Sequence, residues 1–161
     1  MKFAKTVLTT SLLAFSMTAF AADEMATPEE AQAMSEAAAV LVNEKGDAAA
    51  FEEFSKEGGD FLKKDLYVFC MDLEGKMLSH AKKPALVGKN LLDYDKYGDK
   101  LFVDMIEVAK NEEGKGWVDY KWPRPGSEEI TEKTSYVMKN EKDFFCGVGA
   151  YKPEEKAAES K

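Results

Sequence analysis

A short segment rich in aromatic and cationic side chains is the first place in this sequence where binding chemistry is expected. It reads Tyr120-Lys121-Trp122-Pro123-Arg124. Alternate residues of a strand point to the same face, so Tyr120, Trp122 and Arg124 share a face if the strand continues through Arg124. A guanidinium holds a carboxylate through two parallel hydrogen bonds, and the phenol and indole groups add donors and exclude water. This face predicts a pocket for a small organic acid.

Each of these three residues also has a simpler interpretation. Arg124 is the single arginine of the sequence, and a lone arginine can equally be a surface residue or form a structural ion pair. Tyr120 and Trp122 can equally be ordinary core residues, since aromatic side chains dominate protein interiors. The sequence leaves both alternatives open.

Two more residues are candidates for the same pocket. His80 is the only histidine and lies at the end of a predicted strand, where a partly exposed strand-end histidine is the alternative. Lys133 begins a strand expected beside the Tyr120 strand and could place a positive charge over the pocket. Its alternative is a solvated lysine at a strand end.

Signatures of catalysis, cofactors and metals are missing. There is no Gly-x-Ser-x-Gly elbow or phosphate-binding loop, and one histidine cannot form a zinc site. The segment Asp93–Asp104 imitates a calcium loop, but Tyr97 and Lys100 occupy positions where that loop requires other residues. We therefore predict no catalytic residue, no cofactor and no metal.

The two cysteines, Cys70 and Cys146, are 76 positions apart and form no CxxC motif. In an exported protein an even number of cysteines favours a disulfide, whereas two buried thiols are the alternative.

The first residues predict export. Lys2 and Lys5 precede an apolar stretch that ends in Ala19-Phe20-Ala21-Ala22, so a signal peptide is expected over residues 1–21, cleaved between Ala21 and Ala22. The mature form is then expected to be periplasmic and to have no membrane span. The whole chain carries a net charge of −8, and removing Lys2 and Lys5 makes it more negative, which argues against nucleic acid as a partner.

The elements that must position these residues follow from capping and periodicity. Thr27-Pro28-Glu29-Glu30 predicts the start of an alanine-rich helix that ends near Lys45, with Ala33, Ala37, Val40 and Leu41 along its apolar stripe. A short helix is expected over 48–56 and a third over 99–111. Strands are expected over 65–72, 77–81, 117–122, 133–139 and 144–151. Short connections predict an α+β fold, a PAS-like five-stranded antiparallel sheet with the N-terminal helix packed on it. The domain is expected over 22–151, followed by a charged tail over 152–161.

The order of these segments carries a family likeness. The series comprises Asp65-Leu66-Tyr67-Val68-Phe69, Asp72-x-x-Gly75-x-x-x-x-His80, Gly88-Lys89-Asn90, Gly116 to Gly126, Lys133 to Val137 and Gly147 to Tyr151. It resembles the single Cache domains (type 2) of bacterial chemoreceptors and sensor kinases.

The resemblance implies an extracytoplasmic sensing module that binds small molecules, commonly short carboxylates, and in which a histidine is often found near His80. Typical members lie between two membrane helices, and no second helix of that kind is found here. We therefore expect a stand-alone secreted binding module with no output function, whose candidate partners are a small organic acid and a membrane chemoreceptor or sensor kinase. The alternative is an accessory protein that docks on such a receptor without a ligand. In a PAS-like sheet the first and last strands are neighbours, which makes a Cys70–Cys146 disulfide plausible.

Overall fold

The computed structural model of the protein describes residues 25–153. The predicted signal peptide, with Ala21 and Ala22, and residues 154–161 of the predicted tail lie outside this range. The elements are helices α1 (Pro28–Lys45) and α2 (Asp47–Phe54), strands β1 (Val68–Asp72) and β2 (Met77–His80), helix α3 (Leu101–Lys110), and strands β3 (Lys115–Pro123), β4 (Ile130–Lys139) and β5 (Phe144–Tyr151). A 3₁₀ turn covers Pro84–Leu86.

The five strands form one antiparallel sheet in the order β2-β1-β5-β4-β3. The predicted α+β fold is therefore confirmed. The first strand of the chain lies beside the last, because the helix α3 carries the chain from β2 across to the far edge. Helices α1 and α2 cover one face of the sheet, while α3 and the segment that precedes it cover the other.

Helix α1 starts as predicted but turns a different face to the sheet. The Thr27 side chain accepts a hydrogen bond from the Glu30 backbone, and the Glu30 side chain accepts one from the Thr27 backbone. The buried residues are Ala31, Met34, Ser35, Ala38, Ala39 and Val42, whereas Ala33, Ala37 and Val40 are exposed. The predicted stripe is wrong because α1 has alanine residues on all of its faces, so the faces differ little in hydrophobicity.

A disulfide joins the neighbouring strands β1 and β5 beneath α1. Cys70 and Cys146 are directly opposite in the β1–β5 register, their Cα atoms are 4.1 Å apart, and both side chains are fully buried. The bond links residues that are 76 positions apart. It lies on the face of the sheet opposite α3, so it affects the residues under α3 only through the sheet.

None of the helices within residues 25–153 is both long enough and apolar enough to cross a bilayer.

Candidate functional site

Three residues form a line across the sheet on the face that α3 covers. Tyr120 on β3 pairs with Lys133 on β4, and Lys133 pairs with Tyr151 on β5. Directly opposite residues of an antiparallel sheet point to the same side. The register therefore places one lysine between two tyrosines on the floor of the site.

Lys133 is a fully buried amine. Its side chain has 0% exposure, and Nζ donates a hydrogen bond of 2.9 Å to Tyr67 Oη. The rings of Tyr67 and Tyr151 lie with their centroids 4.0 Å and 4.5 Å from Nζ. Within residues 25–153 no carboxylate oxygen lies at ion-pairing distance from this nitrogen, although the charge of Asp65 acts on it from further away.

Burial lowers the pKa of Lys133 to about 7, because the charged form loses its hydration, and Asp65 offsets only part of that effect. The alternative of a solvated strand-end lysine is wrong. Strand β4 begins at Ile130 rather than at Lys133, so Lys133 lies inside the strand. Its side chain points to the same side of the sheet as that of Val137, a core residue four positions further along.

Glycine makes room for this lysine on the neighbouring strand. A Cβ at Gly149 would approach Lys133 Cε to 2.5 Å and the Thr134 carbonyl oxygen to 3.0 Å, and it would also collide with Ser135 Oγ. Gly147, two residues earlier on β5, likewise leaves room for the Phe69 ring. The face of β5 below the site is therefore bare backbone at two successive inward positions.

Gly149→Ala is expected to destabilise the protein by about 1–3 kcal/mol, the usual cost of overpacking a core, and to displace the Lys133 side chain. Urea unfolding would measure the free-energy change. Removing the Ser135 hydroxyl in the same background (Ser135→Ala) should recover part of the loss. A Gly149→Ala protein as stable as the parent would contradict this account of the packing.

His80 lies against the same aromatic side chains and is neutral. It is 5% exposed, and its ring lies 5.1 Å from Tyr67 and 6.1 Å from Trp122 between centroids. Desolvation, followed by the charges of Lys133 and Lys83, lowers the pKa of His80 to about 3. Because Nδ1 accepts a hydrogen bond of 3.0 Å from the Lys83 backbone, the hydrogen of the neutral ring is on Nε2. The alternative of a partly exposed histidine is wrong, because the loop after β2 covers the ring and the Lys83 backbone contacts it.

Tyr120 and Trp122 are both buried on this face. Tyr120 Oη is 2.8 Å from Ser135 Oγ, and burial raises the pKa of Tyr120, so the phenol stays protonated and able to donate. Trp122 is 3% exposed. The rings around it belong to His80, Tyr94, Tyr97, Phe102 and Tyr120.

The enclosed space among these rings is small. A cavity of about 10 Å³ is lined by Tyr67, Phe69, His80, Leu101, Phe102, Tyr120 and Trp122. This volume is about that of one water site, so even a two-carbon acid requires these side chains to move apart. Tyr67 lines this cavity and also contacts Lys133, which is not among the lining residues.

Arg124 lies outside this cavity, at its mouth. Strand β3 ends at Pro123, so Arg124 follows the strand and is half-buried rather than part of the floor. Its guanidinium lies 5.4 Å from the Tyr151 ring centroid and contacts Met25 Sδ and Thr131 Oγ1, each at 3.4 Å. It borders an open groove of about 280 Å³, whose wall also includes Tyr67, Trp122, Lys82 and Lys83.

The structure thus brings four of the five predicted residues together on one face and places the fifth at the rim. Sequence reasoning missed Tyr67 and Tyr151, which contact Lys133, and Asp65, whose charge acts on Lys133. One oxygen of the Asp65 carboxylate accepts a hydrogen bond of 2.9 Å from the Ala26 backbone, and the other is buried with no hydrogen-bond partner among the described residues. The period-two spacing of Tyr67 and Phe69 was the available signal for Tyr67.

The chain matches the dCache_2 family of Cache domains over residues 56–157. It is 36% identical over 90 residues to the sensor histidine kinase MctS of Rhizobium johnstonii, a match that covers 55% of this chain and 19% of the kinase. The chain therefore spans about a fifth of that relative.

Solved structures agree. A methyl-accepting chemotaxis protein from Vibrio parahaemolyticus superposes with a TM-score of 0.64 at 26% identity, covering 76% of this chain and 86% of that one. A structure titled as the basis for carboxylic acid recognition by a Cache chemosensory domain superposes at 0.60 with 27% identity, covering 78% and 88%. The resemblance predicted from the sequence is confirmed: this chain belongs to the Cache domain family, and it contains a sensor domain of the type found in chemoreceptors and sensor kinases.

Proposed function

We propose that the chain binds short carboxylates, and that the Lys133 ammonium is the group that holds the carboxylate. The observation that carries this proposal is the complete burial of Lys133 without an ion-pair partner in the described chain. A buried charge is strongly unfavourable unless it is paired, so such sites favour an anion that enters from outside. The related structure of carboxylic acid recognition by a Cache chemosensory domain supports the same ligand class.

The surrounding groups suit a small acid. An ammonium has three hydrogens, and one is donated to Tyr67 Oη. His80 Nε2–H and the Tyr120 hydroxyl are neutral donors on the same face. The rings of Tyr67, Phe102 and Trp122 form apolar walls against which a short alkyl chain can pack.

Entry proceeds from the open groove. Tyr67 and Trp122 line both the groove and the inner cavity, so the two spaces meet at these two side chains. Movement of Tyr67 both opens the cavity and uncovers Lys133. We further propose that the module acts in the periplasm after signal-peptide cleavage, and that it transmits binding to a membrane receptor or kinase rather than acting as an output itself.

Calorimetric titration tests this function with acetate, propionate, pyruvate and lactate, and with acetamide and propionamide as uncharged isosteres. We expect at least one acid to bind and its amide to fail. Equal binding of acid and amide, or no binding by any acid, would contradict the proposal.

Binding should weaken above neutral pH. The pKa of Lys133 is about 7, so the free protein carries the ammonium below pH 7 and loses it above. The carboxylate needs the charged form, so affinity is expected to be constant from about pH 5.5 to 7 and to fall up to tenfold for each further pH unit.

The same titration can detect the proton directly. Near pH 8 binding should take up a proton, so the apparent enthalpy should depend on the ionisation enthalpy of the buffer. His80, with its pKa of about 3, and the protonated tyrosines do not change charge in this window. An affinity that stays flat from pH 6 to 9 would exclude Lys133 as the charged contact.

A further inference from the structure

A second group of cations borders the groove outside the cavity. Lys82, Lys83 and Arg124 line it together with Tyr67 and Trp122, and Glu128 is the one acid on its wall. The sequence as a whole is acidic, with a net charge of −8. Three cations around one open space of about 280 Å³ are therefore a local reversal of the overall charge.

Two of these cations lack an acidic partner. Lys83 Nζ lies 5.2 Å from the Trp122 ring centroid, and Arg124 contacts a thioether, a hydroxyl and a ring. Within residues 25–153 neither forms an ion pair, whereas Lys82 lies 4.0 Å from a Glu57 carboxylate oxygen. The guanidinium of Arg124 thus keeps donors for a planar anion.

The groove and the buried amine are close to each other. Lys133 Nζ and Arg124 both contact the Tyr151 ring, at 4.5 Å and 5.4 Å from its centroid. The two cationic groups are therefore no further apart than these two distances together. Tyr67, the partner of Lys133, is also part of the groove wall.

We propose that the groove is an outer anion subsite, in which Lys83 and Arg124 hold a second acidic group of the ligand. This inference rests on the proposed function, because the first carboxylate is the one on Lys133. It narrows the ligand class from short acids in general to compact diacids, in which one or two carbons separate the carboxylates. A neutral chain end gains nothing from these cations.

The test compares succinate with butyrate, which has the same number of carbons and one carboxylate fewer. In the parent protein succinate should bind about tenfold more tightly or better, because its second carboxylate gains charge-assisted hydrogen bonds that butyrate cannot form. In the double variant Lys83→Gln/Arg124→Gln this advantage should disappear, while butyrate affinity stays within about twofold. Lys142→Gln, in the turn at the opposite end of β4, removes one charge and should change neither.

The outcomes separate the two proposals. Succinate that binds no better than butyrate, or that keeps its advantage in the double variant, overturns the outer subsite and leaves the inner one intact. The proposed function itself is overturned if neither acid binds to the parent protein. It is also overturned if the Lys133→Met protein binds both acids as tightly as the parent does.

Discussion

Replacing Lys133 by methionine is expected to abolish binding of short carboxylates while making the free protein more stable. Methionine preserves the length and most of the volume of the side chain and removes the buried charge. Exchange of buried ionic groups for apolar ones of similar shape commonly stabilises proteins by about 1–4 kcal/mol. We expect a gain of about 1–3 kcal/mol, because the Tyr67 hydroxyl loses its donor at the same time.

Loss of the ammonium should weaken acid binding by at least about a hundredfold, the effect of removing one partner of a buried charged pair. Chemical denaturation and calorimetry on the same preparation measure the two effects. Lys121→Met is the matched control, since Lys121 is a mostly exposed lysine on the neighbouring strand, and it should change neither quantity. A Lys133→Met protein that binds acids normally would exclude the proposed site.

The pH dependence of stability distinguishes burial of the charge from any other effect of the substitution. The pKa of Lys133 is about 7 in the folded protein and near its ordinary value of 10.5 when unfolded. Between these values the unfolded chain binds the extra proton, so the parent should become more stable as pH rises from 7 towards 10. The Lys133→Met protein should lack this component, so its advantage should be greatest at and below pH 7.

Loss of the disulfide is expected to have the largest effect on folding. Its two cysteines enclose a loop of 76 positions, and closing a loop of that length stabilises the folded state by about 4.5 kcal/mol in the chain-entropy treatment. The variant Cys70→Ala/Cys146→Ala should therefore unfold at markedly lower denaturant concentration than the oxidised parent. Reduction of the parent should give a similar loss.

A thiol count on the unreduced protein is the control, because the oxidised form should have no free thiol. The slope of the unfolding transition also reports the mechanism: a cross-link restricts the unfolded chain, so its removal should steepen the dependence on denaturant. Equal stability of the oxidised and reduced proteins would show that the bond contributes nothing to folding.

Much of the architecture could be predicted because local signals agreed with the global fold. The capping box at Thr27 marks the start of α1, the polar turn at Asn140 separates β4 from β5, and both helix and strands fall within a few residues of their predicted bounds. The outer face of α1 could not be assigned, because a helix with alanine on every side has no clear apolar stripe.

The centre of the site was less accessible from the sequence. Lys133 is identified as an interior residue only once β4 is known to begin at Ile130, and that start depends on pairing with Pro123 across the sheet. Tyr67, Lys133 and Tyr151 come from three separate parts of the chain and meet through register alone. Arg124 was overestimated as a floor residue because β3 ends one residue before it.

Gly147 and Gly149, the two positions of β5 that have no side chain on this face, determine how the depth of the pocket can change through substitution. Phe144, Cys146, Val148 and Ala150 pack under α1, whereas Gly147 and Gly149 leave their side of the same strand to neighbouring side chains. Because these two glycines have no side chains, there is room above β5, and the side chains of Phe69 and Lys133 occupy it. Pocket depth can consequently be changed by single substitutions at residue 69 or 147, while every polar group that would recognise the acid remains in place.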